Sequence, residues 1–219
     1  MNESCPNPYM PDMPKESPKN EEISVEDQIW SDVESKGIYR LPLQIIKNSL
    51  ELGGGIASRD PAVPEEMLRQ IGPFLTELSP ESHVGPSRQA IDFLIPDGTP
   101  VIAAADGKVI KFEDSNTLWA PDPNYSNFMN FIWIKHDNGE VSRYCHLAPK
   151  SIKRKLGHEG ARVREGQVIA NVGKTGWTDR DHLHFLLTQD QPYFQLPKMY
   201  IENPYGVKGL VPKFALNKN

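Results

Sequence analysis

The chain has 219 residues, carries a formal net charge of −5 and is 38% hydrophobic. This length fits one domain with an appendage or two small domains, with enough apolar residues for a core that needs no disulfide staples. The mildly acidic balance, without a long run of lysine and arginine, argues against nucleic acid as a partner. No apolar run approaches the roughly 20 residues needed to cross a bilayer, so we expect no membrane span.

The first residues lack the basic start and apolar core of a secretory signal peptide. The sequence as given therefore predicts a cytoplasmic location by default, or an extracellular or periplasmic one if the N-terminus is incomplete. The two cysteines, Cys5 and Cys145, form no Cys-x-x-Cys pair, and nothing in their spacing supports a disulfide.

The front third of the chain is expected to be an irregular, mostly helical extension. Residues 1–22 are rich in Pro, Asn, Glu and Lys, which predicts a disordered tail. Residues 23–81 form the extension itself, and we find no chemistry in it. Helical spacing and stop signals predict three helices there, over 25–36 with Gly37 as the stop, over 43–52, and from Pro64 to about Leu75.

From about Ser82 the pattern changes to short β-rich runs separated by Gly and Pro turns. Asp-Gly and Asn-Gly pairs supply the positive φ angles of tight hairpins. Many short strands at close spacing predict a mainly β domain over 82–190, an antiparallel sandwich or barrel-like fold. A C-terminal extension over 191–219 is expected to add an edge strand, Gly209–Phe214, and a disordered end. The predicted strands are Ala90–Ile95, Thr99–Ala104, Gly107–Phe112, Phe128–His136, Glu140–His146, Gln167–Val172 and His182–Thr188.

The last of these runs contains two histidines one residue apart. On a strand, side chains i and i+2 share a face about 6.5–7 Å apart, so His182 and His184 point the same way. Leu183 and Phe185 point to the other face and can fill a core. One imidazole of such a pair can bind a metal while the other reaches a group bound to that metal. The alternative is a pair of surface or hydrogen-bonded histidines on a half-buried strand.

Other candidate residues lie in the same β region. Asp92 stands in the middle of an apolar strand, where a carboxylate is costly unless it is paired or bound to a cation. Its alternative role is an ordinary salt-bridged or turn-capping aspartate. His146 ends a strand and His83 belongs to a loop, whereas His136 and His158 are expected to be ordinary surface histidines.

One loop histidine, one strand aspartate and one strand histidine make a zinc-type ligand set with a position left open for water. Zinc lowers the pKa of such a water to about 7 and polarises a carbonyl, which hydrolysis of an amide requires. Two further histidines near the water can orient it, take its proton and stabilise an oxyanion.

The region from about Ser82 to Asp190 resembles the lysostaphin/LytM-type zinc metallopeptidases, endopeptidases that cut the peptide cross-links of bacterial cell walls. Half of the chain is covered, and the combination of blocks is specific although no single block is. The matching segments are Asp92-Phe93 with Pro96–Val101 and Ala103–Val109, then Asn130–His136 with Gly139 and Tyr144–Leu147, and then Val163–Ala170 with Val172–Gly176 and His182–Phe185.

The resemblance implies a duplicated β motif that holds one zinc ion and cuts a peptide or peptidoglycan substrate. By this resemblance His83, Asp92 and His184 are the zinc ligands, and His146 and His182 are the catalytic pair. The pair must be neutral to act, so activity is expected to fall as histidines protonate below about pH 6.

The chain departs from the family pattern at three places. The family's first ligand histidine stands four residues before the aspartate, and here that position holds Arg88, which stays protonated and cannot bind a cation. His83 begins a His-x-Gly run nine residues ahead of the aspartate, so Pro86 to Ala90 is interpreted as an insertion that loops out. Asp181 replaces a usual proline, and Cys145 replaces a small residue such as alanine, with a core role expected for its thiol.

Two alternatives differ in class from a peptidase. A degenerate family member would keep the fold and bind a partner or cell-wall glycan, and a His83 ring far from Asp92 would favour it. Val163–Ile169 also resembles the hairpin of lipoyl or biotinyl carriers and of sugar-phosphotransferase phosphocarriers. That reading lacks the modifiable lysine of a Met-Lys-Met hairpin and leaves the block around Asp92 unexplained.

Overall fold

A computed structural model describes residues 33–43, 75–77, 79, 82–83, 85–190 and 207–215. These residues are mainly β, which confirms the expected fold class. Three 3₁₀ turns interrupt the strands, at Gly85–Ser87, Pro123–Phe128 and Arg154–Leu156. The strands are β1 (Glu34–Tyr39), β2 (Leu75–Glu77), β3 (Ile91–Leu94), β4 (Pro100–Ile102), β5 (Gly107–Glu113), β6 (Trp119–Ala120), β7 (Phe131–Lys135), β8 (Glu140–Cys145), β9 (Arg162–Val163), β10 (Val168–Asn171), β11 (Gly176–Trp177), β12 (Leu183–Asp190) and β13 (Val207–Phe214).

A large mixed sheet organises the described residues, with the order β1-β13-β12-β8-β7-β5-β9. Strand β12 pairs with three other strands. One edge of β12 pairs with β8, and the other edge is shared by β3 at residues 183–185 and by β13 at residues 187–190. The pairs are antiparallel except that β1 runs parallel to β13. This arrangement places β3 and β8 on opposite sides of the same short stretch of β12.

A smaller layer packs against the large sheet through a shared core. In this layer β4 pairs antiparallel with β10, and Leu43 forms a bridge to Val101. The two faces of β3 and β12 therefore differ in character, since Ile91, Phe93 and Phe185 lie in the core while Asp92 and His184 occupy the opposite face. The larger core side chains include Tyr39, Ile132, Ile134, Tyr144, Leu147, Leu156, Ile169, Leu183 and Leu187.

All seven strands predicted from the β-rich runs are present, with ends that differ by a few residues. The largest difference is at Phe128, which ends a 3₁₀ turn ahead of β7 instead of starting the strand. The hairpin between β7 and β8 turns at Gly139 with a φ of +85°, as the Asn-Gly pair predicted. Short-range turn signals therefore predicted the positions of the strands in this half of the chain to within a few residues.

The helical prediction for the front of the chain is wrong where the structure describes it. Residues 34–36, the end of the first predicted helix, lie in β1, and Gly37 continues that strand instead of stopping a helix. Leu75 begins β2. Pairing with distant strands overrides local helix propensity here. Leu43, where the second predicted helix would begin, forms a β-bridge to Val101. Most of the three predicted helices, the tail over 1–22 and the segments 191–206 and 216–219 lie outside the described residues.

The C-terminal strand exists but is not an edge strand. Strand β13 covers the predicted Gly209–Phe214 and lies between β12 and β1 in the sheet. The sheet thus extends to segments on both sides of 82–190. Among the described residues, no helix has the length and hydropathy needed to cross a bilayer.

A buried carboxylate fastens β1 to the rest of the sheet. Glu140 is 1% exposed, and its Oε1 accepts a hydrogen bond from the backbone N of Lys36 at 2.6 Å. Its Oε2 accepts from the backbone N of Gly37 at 3.2 Å, from Tyr39 Oη at 2.6 Å and from Asn138 Nδ2 at 2.7 Å. Every neighbour is a donor, so the site requires a group that only accepts.

Replacing Glu140 with glutamine is expected to destabilise the protein by about 2–3 kcal/mol, because the new amide must point its own donors at one of these groups. Urea unfolding of the two proteins measures the difference. Glu159→Gln is the control, because Glu159 is exposed. Equal unfolding free energies for Glu140→Gln and wild type would contradict the role of this carboxylate.

Candidate metal centre

The register of the large sheet brings a carboxylate and an imidazole together. His184 on β12 is the direct partner of Asp92 on β3 and of Cys145 on β8. Because partners across a sheet share a face, Asp92 and His184 point to the same side. His184 Nδ1 lies 2.8 Å from Asp92 Oδ1, with only 13% and 5% of the two side chains exposed.

His83 reaches the same carboxylate from the loop ahead of β3. Its Nε2 lies 3.1 Å from Asp92 Oδ2, and its side chain is 6% exposed. This nitrogen is buried, and the Asp92 carboxylate is the charged group beside it. A cation placed between the nitrogen and the carboxylate oxygen would bind both.

These three residues offer a donor set that fits zinc. One donor atom each from His83, Asp92 and His184 lies within 4.8 Å of the others, and two imidazole nitrogens with one carboxylate oxygen match zinc's usual ligands. Burial alone would raise the pKa of the Asp92 carboxyl. The charge and hydrogen bond of His184, with contributions from His83 and His182, outweigh it and hold that pKa well below its usual range.

His146 lies next to this group in an uncommon backbone conformation. It follows the end of β8 with a φ of +59°, a left-handed conformation that few residues other than glycine adopt. Its Nδ1 lies 2.7 Å from the carbonyl oxygen of Thr175. Since a carbonyl only accepts, Nδ1 carries the proton and Nε2 carries the lone pair. Burial lowers the pKa of His146 to about 3, so this ring is neutral at ordinary pH.

His182 is held in a similar way. Its Nδ1 donates to the carbonyl oxygen of Arg180 at 3.1 Å, and its Nε2 lies 3.7 Å from Asp92 Oδ1. Its ring centre is 4.5 Å from that of His146. Burial also lowers the pKa of His182. The structure thus gathers all five predicted site residues, with two neutral rings whose Nδ1 atoms are both occupied by backbone carbonyls.

Comparison with known proteins assigns the family. Residues 86–195, half of the chain, match the model described as Peptidase family M23. The chain belongs to peptidase family M23. This confirms the resemblance to lysostaphin/LytM-type enzymes, and M23 is a family of zinc metallopeptidases. The matched range includes Asp92, His146, His182 and His184, whereas His83 stands ahead of it.

Individual M23 relatives match only the central part of this chain. It is 34% identical over 100 residues to the peptidoglycan DD-endopeptidase ShyC of Vibrio cholerae, a match that covers 45% of this chain and 19% of the relative. It is 34% identical over 113 residues to the DD-carboxypeptidase/endopeptidase Mpg of Neisseria meningitidis, covering 52% of this chain and 23% of that protein. The chain therefore spans about a fifth of the length of these curated relatives.

The solved structures that resemble this chain include the catalytic domain of lysostaphin from Staphylococcus simulans. That domain is 28% identical to this chain, and the match covers 51% of this chain and 71% of the lysostaphin domain with a TM-score of 0.38.

The three departures from the M23 pattern have distinct structural positions. Arg88 is exposed just after the 3₁₀ turn that follows His83. Asp181 Oδ2 accepts a hydrogen bond from the backbone N of Asp97 at 3.3 Å, which ties the segment before His182 to the turn after β3. Cys145 is a buried free thiol whose pKa is raised to about 12 by burial, a state that disfavours nucleophilic chemistry.

Residues with no obvious sequence signal support the His146 turn. Thr175 Oγ1 donates to the carbonyl oxygen of Leu147 at 2.9 Å and accepts from the backbone N of Asn130 at 2.9 Å. Asn130 Nδ2 donates to the same Leu147 oxygen at 3.2 Å. Thr175 thus binds His146 through its backbone carbonyl and binds Leu147 through its hydroxyl. Neither Thr175 nor Asn130 was predicted to have a role, because hydrogen bonds to backbone leave no spacing pattern.

His136 is not the surface histidine that the sequence suggested. It is 6% exposed, its Nδ1 donates to the carbonyl oxygen of Asp106 at 2.7 Å, and its Nε2 lies 2.9 Å from Ser142 Oγ. Burial lowers its pKa despite the opposing effect of the Asp106 hydrogen bond. His158, by contrast, is exposed as expected. His136 is therefore a structural histidine that stays neutral in the folded protein.

The neutral His136 makes a loss of stability in acid an expected result. An unfolded histidine has a pKa of about 6.5, so below that pH the unfolded chain takes up a proton that the folded protein resists. The stabilisation is present above about pH 6.5 and is lost as the pH falls, by at most about 1.4 kcal/mol per pH unit. Urea unfolding between pH 7.5 and 5 measures it. His136→Asn should show a shallower pH dependence than wild type, and an unchanged slope would contradict the assignment.

Proposed function

We propose that this chain is a zinc-dependent endopeptidase that hydrolyses a peptide bond, in the cross-links of peptidoglycan or in a related peptide. The observation that carries this proposal is the convergence of one donor atom each from His83, Asp92 and His184 within 4.8 Å, with His146 and His182 against that group. Family membership supports the reaction class, because M23 is a family of zinc metallopeptidases.

In this proposal His83, Asp92 and His184 hold one zinc ion. Three protein ligands leave a coordination position open, as catalytic zinc sites do. Zinc held there supplies Lewis acidity for the hydrolysis of an amide. The burial of the His83 nitrogen beside the ionised Asp92 carboxylate supports this assignment, since a cation between them would use the lone pair of the nitrogen and compensate the buried negative charge.

His146 and His182 handle the proton. Each donates its Nδ1 hydrogen to a backbone carbonyl, which leaves Nε2 as the basic atom. A neutral imidazole can take a proton from an attacking water and then, as imidazolium, stabilise negative charge on the substrate oxygen. Because burial lowers the pKa of both rings, each stays neutral to a lower pH than an unperturbed histidine would.

The names of the relatives support a cross-linked peptide as the substrate class. ShyC is named a peptidoglycan DD-endopeptidase, and a relative from Staphylococcus capitis, 31% identical over 114 residues, is named a glycyl-glycine endopeptidase. These names refer to different bonds, so the substrate proposed here is the peptide cross-link rather than one bond within it.

The position of His83 favours the peptidase over a degenerate family member. A His83 ring far from Asp92 would favour a degenerate member, whereas the two side chains lie 3.1 Å apart. A carrier role would not explain why the three metal-type donor atoms of His83, Asp92 and His184 converge. The absence of the close-spaced histidine, whose position holds Arg88, favours a degenerate member, and measurements of zinc content and hydrolysis decide between the two hypotheses.

Metal content and hydrolysis together test the proposal. The protein is loaded with zinc, desalted and measured by elemental mass spectrometry, with about one zinc per chain expected. The same sample should release cleaved products from purified cross-linked muropeptides, lose this activity with 1,10-phenanthroline and regain it with added zinc. A zinc-loaded preparation that retains no metal and cleaves none of these substrates would refute the proposal.

A further inference from the structure

His83 lies ahead of the residues that match the M23 model. The position of its ring must therefore be explained by contacts of this chain itself. We infer that Ser79 is a positioning residue that binds His83 and Asp92 to each other and so sets the affinity of the site for zinc. This inference rests on the proposed function, because it takes His83 and Asp92 as ligands. Nothing in the family match covers Ser79, since the matched range begins at residue 86.

Ser79 contacts both proposed ligands. Its Oγ donates to Asp92 Oδ2 at 2.6 Å, the oxygen that lies 3.1 Å from His83 Nε2. Its carbonyl oxygen accepts hydrogen bonds from the backbone N of His83 at 2.8 Å and of Ser82 at 3.1 Å. One residue therefore fixes the orientation of the carboxylate with its side chain and the path of the histidine loop with its backbone.

The chain requires such a link because strand pairing does not connect these two ligands. Asp92 and His184 are fixed by the register of β3 and β12, but His83 belongs to no strand and stands nine residues before Asp92. Strand β2 pairs with β3 and places Glu77 opposite Asp92, which brings Ser79 within reach of the carboxylate. Ser79 thus supplies for His83 the fixed relation to Asp92 that strand pairing gives to His184.

A close backbone approach also holds the chain at Pro86, where the inserted segment begins. A side chain at Gly209 on β13 would put its Cβ 2.5 Å from the carbonyl oxygen of Pro86, so the loop and β13 approach more closely than any other residue type allows. The loop is therefore held at Pro86 by β13 and at His83 by Ser79. The contacts at His83 and Pro86 restrict the backbone on which the histidine ring is carried, which lowers the entropy lost when the ring binds a metal.

A hydroxyl that donates a hydrogen bond to a metal-ligating carboxylate affects the affinity of the site for the metal. Hydrogen-bond partners of metal ligands orient them, and their removal commonly weakens metal binding 10–100-fold. The bond from Ser79 occupies one lone pair of Oδ2 and leaves the remaining carboxylate lone pairs for a cation. Without the Ser79 hydroxyl, the Asp92 carboxylate loses one of the contacts that fix its orientation. The loop then keeps only the backbone hydrogen bonds to the Ser79 carbonyl.

The test compares zinc affinity in three variants. Competition with a fluorescent zinc chelator is expected to give a Kd for Ser79→Ala about 10–100-fold higher than for wild type. Ser115→Ala is the matched control, because Ser115 is exposed and its hydroxyl also donates to a carboxylate, Glu113 Oε1 at 2.7 Å, which is not a proposed ligand; its Kd should stay within about threefold. Ser79→Thr keeps the hydroxyl and is expected to restore binding.

The outcomes separate this inference from the proposed function. Thermal unfolding of the zinc-free proteins detects a purely structural effect, which would lower the Tm of Ser79→Ala and leave its zinc Kd unchanged. That result, or a Ser79→Thr variant as weak as Ser79→Ala, overturns the role of Ser79 while the peptidase proposal stands. A wild-type protein that binds no zinc overturns both.

Discussion

Replacing Asp92 with asparagine is expected to raise the zinc Kd by at least about 100-fold and to reduce hydrolysis in proportion at limiting zinc. The two side chains have nearly the same shape, so the change removes charge rather than volume. Asp92 Oδ1 faces His184 at 2.8 Å and Oδ2 faces His83 at 3.1 Å and the Ser79 hydroxyl at 2.6 Å. An amide group must direct its two N–H donors at one of these sets. Chelator competition and elemental analysis of the purified variant measure the effect.

Asp97→Asn is the matched control for this variant. Asp97 follows the same strand but is exposed, so the identical chemical change should leave the zinc Kd and the activity unchanged. If Asp92→Asn binds zinc as tightly as Asp97→Asn, then the buried carboxylate is not a ligand, and its ionised state must have another cause.

The β half of the chain was predictable because its signals are local. Asn138-Gly139 specified a hairpin, and alternation along β3 and β12 assigned Ile91 and Phe93 to the core and Asp92 to the opposite face. The front of the chain was not predictable in the same way. Residues 34–39 have no sequence pattern that distinguishes a strand from a helix. They form β1 because they pair with β13 and hydrogen-bond to the Glu140 carboxylate, both more than 100 positions away in sequence.

The residues of the candidate site also differ in how far the sequence predicts them. His182 and His184 were found from the two-residue period of a strand, and the family resemblance supplied His83 and His146. Their supporting residues were missed, since Ser79 and Thr175 act through hydrogen bonds that any serine or threonine can make. The burial of His136 was missed for a related reason, because a histidine bonded to a backbone carbonyl looks like any other in sequence.

The support around His146 also determines how its role can be tested. A residue with a φ of +59° is strained unless it is glycine or a short polar residue such as asparagine, which tolerates the left-handed region. Alanine at this position would therefore mix a loss of chemistry with a change in the turn after β8. Asparagine removes the imidazole while it keeps a residue type suited to this backbone.

His146→Asn is expected to lower kcat/KM by about 100-fold or more while the zinc Kd stays within about threefold of wild type. Zinc is retained because the proposed ligands do not include His146, and activity is lost because its neutral Nε2 is the basic atom beside them. Chelator competition and muropeptide hydrolysis on the same preparation measure both quantities. His158→Asn makes the identical change at an exposed histidine and should alter neither. Ring nitrogens of His146, His182 and His184 also lie within 4.8 Å of one another, so if His146→Asn loses zinc in step with activity, then His146 is itself a ligand and the proposed division of roles is wrong.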